Sequence, residues 1–187
     1  LSALALDLGR LTGWACGEPD AVPRFGTHVL PTTGDDIGRY LHAHREWLTG
    51  FIQVERPTFV VYEAPILAEE TTKATVIKLM SLAGVTELIC RDLQVRCYDT
   101  HLSSVKKFLT GTGRAKKADM EAAARRFGFA VRNDNEADAI AIWGQAVMLR
   151  YPGKCQIFSM GQLGGKTLRA EAAPPSKLGD DVEDIPI

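Results

Sequence analysis

The chain has 187 residues, 45% of them hydrophobic and 24% charged, with a formal net charge of −1. This length suits one domain with a real core and is short for two. No apolar run of about eighteen residues occurs, which excludes a hydrophobic membrane span. Asp7 interrupts the apolar opening Leu1–Leu6, with no basic segment before it, so a signal peptide is a poor fit and a cytoplasmic location is expected. Cys16, Cys90, Cys97 and Cys155 lack CxxC spacing and clustered histidines. They read as reduced structural residues, and any metal is expected to take oxygen ligands. The near-neutral total hides a basic flank. Lys106, Lys107, Arg114, Lys116, Lys117, Arg125, Arg126 and Arg132 face only Asp119 and Glu121 between positions 106 and 132, while Asp180–Ile187 holds four acids. Local fields of this kind, rather than the total, steer polyanions.

In chain order, Ser2–Leu8 reads as a buried strand ending at an acid and a glycine. Gly13–Cys16 and Arg24–Leu30 follow as strands across a turn-rich Gly17–Asp20, which suggests an antiparallel meander. Asp35–Val54 has helical spacing with one broad apolar side, capped by Asp35 or Asp36. Pro57 ends it. Thr58–Tyr62 is a β-branched and aromatic strand that leads into Glu63-Ala64-Pro65. Thr71–Leu93 predicts a long helix, Val95–Tyr98 a fifth strand and Ser103–Leu109 a short helix broken by Gly111-Thr112-Gly113. Lys116–Phe127 and Glu136–Leu149 complete the helices. Gln156–Met160 reads as another short strand, and the Gly- and Pro-bearing remainder as linker or tail. The expected fold is therefore α/β, with a mixed five-stranded sheet of antiparallel meander plus parallel strands flanked by helices. Residues 1–152 form its domain, and 153–187 form a C-terminal extension with an acidic tail.

In this topology the first and fourth strands run parallel as neighbours, so Asp7 and Glu63 emerge at one sheet edge. Asp138 lies in the opening turns of the last long helix, inside the apolar run Ala137–Ile142, where a carboxylate needs a partner. Asp134 and Asn135 precede it by four and three positions and share its face if the helix has already begun, whereas Glu136 points elsewhere. Oxygen donors converging in this way repel one another unless a cation sits between them. Magnesium suits such a site, as two ions that activate water and stabilise a leaving oxygen.

The residues also resemble a known family. Leu6-Asp7-Leu8-Gly9 through Thr12-Gly13-Trp14-Ala15 resembles the opening motif of the RuvC-type Holliday junction resolvases, and Val60-Val61-Tyr62-Glu63 resembles their second acidic strand. Val105-Lys106-Lys107 with Gly111–Lys117 resembles their basic helix and glycine loop, and Glu136–Ala141 their closing acidic helix. The matches run in order from about residue 4 to residue 149. The resemblance implies a ribonuclease H-like fold, with Asp7, Glu63 and Asp138 as catalytic metal-binding acids. It implies that Lys106 and Lys117 assist at the scissile phosphate. The fourth metal position falls at Asn135, where the family has Asp or His, and Asp134 is the alternative ligand. The resemblance further implies two Mg2+ ions, replaceable by Mn2+, and paired nicks in four-way DNA that leave 5′-phosphate and 3′-hydroxyl ends.

Lys106, Lys107, Arg114, Lys116 and Lys117 flank a glycine loop that allows close approach to phosphates, so they are the expected DNA contacts. Ile66 and Leu67 are either wedges at a junction centre or interface residues. The helix Thr71–Leu93 is apolar on more than one side, and the surplus is either core or a homodimer face. Gly179–Ile187 resembles the acidic Ile-Pro tip of bacterial single-stranded DNA-binding proteins, which implies a repair-protein partner. Two other assignments share this core fold. One is a ribonuclease H-fold nuclease for flaps, RNA–DNA hybrids or structured RNA. The other is an actin-like ATP-binding protein.

Overall fold

The computed structural model describes residues 1–66, 71–155, 157–160 and 168–169. Its elements are β1 (Ala3–Asp7), β2 (Leu11–Gly17), β3 (Arg24–Val29), α1 (Ile37–Glu55), β4 (Phe59–Glu63), α2 (Lys73–Asp92), β5 (Arg96–Thr100), α3 (Leu102–Thr110), α4 (Lys117–Arg126), β6 (Phe129–Ala130), α5 (Asp134–Arg150), α6 (Ile157–Met160) and β7 (Leu168–Arg169). Five strands form one sheet in the order β3-β2-β1-β4-β5. β1, β2 and β3 pair antiparallel, while β4 runs parallel to both β1 and β5. The expected meander and parallel half are both present.

Period-2 alternation assigns each strand residue to one of two cores. Leu4, Leu6, Trp14, Val60 and Tyr62 face α1 and α2. Ala3, Ala5, Ala15, Phe25, Phe59 and Val61 face α5, behind which lie α3 and α4. Small side chains dominate the second face in the middle of the sheet, and α5 answers with Ala137, Ala139 and Ala141, all buried. A helix and a sheet that meet through alanines approach closely, and at Gly13 the approach becomes backbone on backbone. A Cβ built there would lie 2.0 Å from the carbonyl oxygen of Asn135. Glycine inside a strand commonly marks such a contact.

Several local boundaries differ from expectation. α1 starts at Ile37 rather than Asp35, and of the two expected caps Asp36 is the one, accepting from the Arg39 N–H at 2.8 Å. Thr72 caps α2, so that helix starts at Lys73. The strand expected over Gln156–Met160 is corrected: Ile157–Met160 is a helical turn, and Gln156 lies outside the described residues. Helical geometry there delivers Phe158 onto Phe108, Phe127, Phe129 and Trp143, with ring centroids 5.0–6.4 Å apart. Gly144 makes this possible, since a Cβ at that position would lie 2.3 Å from the Phe158 ring. The pair β6 and β7 was not expected. The tail Gly179–Ile187 lies outside the described residues. Among the described residues no helix is long and apolar enough to cross a membrane. The cysteines form no disulfide.

Candidate active site

The register fixes the first two acids. Leu6 of β1 pairs with Tyr62 of β4, so Asp7 and Glu63 are the next residues of adjacent parallel strands. Both follow the alternation of Ala3, Ala5, Phe59 and Val61, and therefore face α5. Beyond Asp7 the chain turns back tightly. The Thr12 hydroxyl donates to the Gly9 carbonyl at 2.7 Å, and the Leu30 N–H donates to the Arg10 carbonyl at 2.8 Å.

The third acid depends on where α5 begins. The helix starts at Asp134, two residues before the expected Glu136, because Asn133 caps it and accepts from the Glu136 N–H at 3.0 Å. Asp134 and Asn135 are thus helical and share the Asp138 face, as the spacing required. Glu136 points into the protein, fully buried, and its carboxylate accepts from the Arg132 N–H at 2.8 Å and the Arg132 Nε at 2.9 Å. Thr27 of β3 joins this group through Asn133 at 3.1 Å. The sequence left Thr27 and Asn133 without a role and placed Arg132 in the basic flank, although Asn133 three positions before Glu136 is a capping signature.

The acids sense one another. Burial raises the Asp7 carboxyl well above its usual range, and Asp138, Glu63 and Asp134 raise it further while Lys117 opposes them. Burial and Asp138 push Glu63 up to about 7 against the Lys106 ammonium. Burial pushes Asp138 up to about 6, with Asp134 adding to the rise and Lys106 and Lys117 opposing it. Asp134 differs: a hydrogen-bonded ion pair with Lys117 holds its carboxyl below the usual range and raises the lysine.

The structure therefore gathers Asp7, Glu63, Asp134 and Asp138 with Lys106 and Lys117. Lys107, Arg114 and Lys116 are exposed and form no ion pair among the described residues. Asn135 is part-buried, with its backbone against Gly13. Ile66 is 57% exposed, and Leu67 and Ala68 lie outside the described residues.

Among the described residues, no three Asp, Glu, His or Cys side chains are gathered tightly enough to hold a metal ion. In chemistry the set nevertheless fits one. The Asp138 Oδ1 atom is buried without any hydrogen-bond partner, and three carboxylates with raised pKa values surround the same space. A buried acceptor left unpaired and clustered like charges are both relieved by a hard cation.

Solved structures share this arrangement of elements. Thermus thermophilus RuvC matches over 80% of this chain and 96% of its own, with a TM-score of 0.63 and 19% identity. The same protein in complex with a Holliday junction substrate matches over 82% and 97%, with a TM-score of 0.67 and 19% identity. The chain has the RuvC fold. The yeast mitochondrial Holliday junction resolvase Ydc2 matches it over 83% of both chains, with a TM-score of 0.53 and 12% identity. Neither a family model nor a curated protein sequence matches the chain. The RuvC fold is ribonuclease H-like, and in this chain its sheet edge is where Asp7, Glu63 and the start of α5 meet.

Proposed function

We propose that the chain is a divalent-metal-dependent endonuclease that resolves four-way DNA junctions. The observation that carries this reading is the trio Asp7, Glu63 and Asp138, set by three separate elements against one space and repelling one another there. A shared fold with RuvC, solved in complex with a Holliday junction substrate, and with the Holliday junction resolvase Ydc2 supports the substrate. Asp7, Glu63 and Asp138 would hold the metal, with Asn135 or Asp134 as fourth ligand. Magnesium, as two ions with manganese able to replace them, would supply an activated water and stabilise the leaving 3′-oxygen, giving 5′-phosphate and 3′-hydroxyl ends.

The remaining groups belong to the chain itself. Lys106 opposes the raised pKa of both Glu63 and Asp138, and in this reading its ammonium assists at the scissile phosphate. Lys117 is held at the rim by Asp134 and can exchange that partner for phosphate. Lys107, Arg114 and Lys116 provide backbone contacts, which position DNA without reading its sequence. The α2 stripe Ile77, Met80 and Leu88, each 43–58% exposed, supplies a face for a twofold copy, and two copies would present two sites to the symmetric strands of a junction. In this reading residues 1–152 carry the nuclease in the cytoplasm, and the acidic end of the 153–187 extension recruits a repair protein.

A labelled four-way junction incubated with magnesium, with calcium and without metal tests the proposal. Paired symmetric nicks with magnesium alone are expected, and Asp7→Asn should keep junction binding while losing the nicks. Cleavage that survives Asp7→Asn would overturn it. Faster cutting of flaps or RNA–DNA hybrids at equal concentration would move the substrate to another ribonuclease H-fold activity.

A further inference from the structure

The face of α5 that carries Asp138 does not end at the acids. At helical spacing it continues through Gln145 to Leu149. There two cavities open side by side, about 470 Å³ and about 320 Å³, and both are lined by Gln145 and Leu149. They form one groove between β5, α5 and α3. Its near end adjoins the site: Thr100 pairs in register with Glu63, and its hydroxyl donates to the Gln145 side-chain oxygen at 2.8 Å.

The groove walls mix apolar surface, aromatic rings and positive charge. Leu149 is 75% exposed. Tyr98 lies on one side, with the Arg150 guanidinium 3.8 Å from its ring centroid, and Phe108 and Lys107 lie on the other. Asp99 is the one acid among the described lining residues. Apolar and aromatic walls suit nucleobases, and cations at the rim suit the phosphates that join them, which is the surface that single-stranded nucleic acid selects. From Asp138 to Leu149 the helix rises about 16 Å, or roughly five stacked base steps.

We infer that this groove holds unpaired nucleotides of the DNA strand flanking the scissile phosphate, with bases against Leu149 and Phe108 and phosphates toward Lys107 and Arg150. The inference rests on the junction-nuclease reading and adds to it a path for the strand after it leaves the acids. A groove of this kind favours substrates whose ends fray at the cut.

The test uses the full chain and a four-way junction carrying 5-iodouracil two to five nucleotides from the cut, bound in EDTA so that nothing is cleaved. Photocrosslinks to the peptides containing Tyr98 or Phe108 are expected. Leu149→Glu should weaken junction binding about tenfold or more, and Leu149→Lys clearly less, because its alkyl stem still covers a base while its ammonium faces phosphate. Because this side chain is exposed, both variants should fold, and a purely structural role would affect them equally. Equal binding by the two variants together with no groove crosslink would overturn the inference. Wild-type junction cleavage, measured alongside with magnesium, separates the two claims. If junctions are cut but the groove is silent, only the groove fails. If the groove crosslinks to a single strand but no junction is ever cut, the nuclease reading fails instead.

Discussion

Replacing Gly13 by alanine should disable the site without touching an acid. Gly13 pairs with Asp7 across β1 and β2, and the backbone of Asn135 rests on it. The new Cβ would lie 2.0 Å from the Asn135 carbonyl oxygen and 2.6 Å from its carbon, where contacts do not close below about 3.0 Å. Backbone rather than a flexible side chain must therefore give way, and the start of α5 moves off the sheet by about 1 Å or more. Asp138 lies one turn further along that helix and Asp7 lies on the opposing strand, so the shift widens the gap between them. A misplacement of about 1 Å at a catalytic group can cost about 100-fold in rate. Overpacking of this kind costs about 1–3 kcal/mol, equivalent to a Tm lowered by roughly 2–10 °C in a domain of this size. Gly9→Ala is the matched control. Its nearest neighbour would be 3.7 Å away, so that variant should cleave normally and be as stable as wild type or about 1 kcal/mol more so. Junction cleavage at a fixed magnesium concentration and a thermal melt read both effects. If Gly13→Ala cleaves at the wild-type rate with an unchanged Tm, the β2–α5 contact does not set the position of Asp138.

Glu136→Ala removes a buried carboxylate that holds Arg132 and the start of α5, and should cost about 2–4 kcal/mol in chemical denaturation, with Glu136→Gln milder. Gln94, at a φ of +56° after the end of α2, occupies a left-handed position where glycine is favoured, so Gln94→Gly should stabilise by about 0.5–1 kcal/mol. The raised acids give the metal-free protein an inverted pH response. Asp138 keeps its proton up to about pH 6, where the unfolded chain has already released it, so this stability is full at low pH and is lost as pH rises through the folded value. Metal-free Asp138→Asn should therefore match wild type near pH 4 and melt higher at pH 8. Comparison of the two proteins cancels the buried His28 and His44, whose pKa values near 4 act with the opposite sign. Magnesium should close the difference at pH 8. A constant difference in Tm across pH would refute the raised carboxyl.

The parts of the site that sit at strand ends were legible in the sequence. Asp7 and Glu63 end short, continuously apolar strands, so the residue type at the strand end and the sheet topology together place them. Asp138 stood out because a charge within Ala137–Ile142 contradicts its surroundings. What escaped the sequence depends on contacts between distant positions. The Lys117–Asp134 pair joins the starts of two helices, and the Glu136 group takes Thr27 from a strand more than a hundred residues away. The start of α5 could have been found, because Asn133 and Glu136 carry the cap, but an acid-rich first turn looks like a loop to a hydrophobic pattern. Ile157–Met160 is too short for any period to separate helix from strand, and β6 has only two residues and a partner far along the chain. The groove beside Thr100 arises from three elements meeting, and no single stretch announces it.

The fit of Phe158 against Gly144 has a consequence for how this protein can change over generations. A ring from beyond Pro152 fills the space a missing side chain leaves on α5, so the two positions are bound in inheritance. Any larger residue at 144 evicts the ring, and loss of the ring leaves a hole among Phe108, Phe127, Phe129 and Trp143. Neither site can drift alone without a stability loss that selection would notice. Descendants should exchange the pair together, and relatives that lack this extension should carry a bulkier side chain where this chain has Gly144.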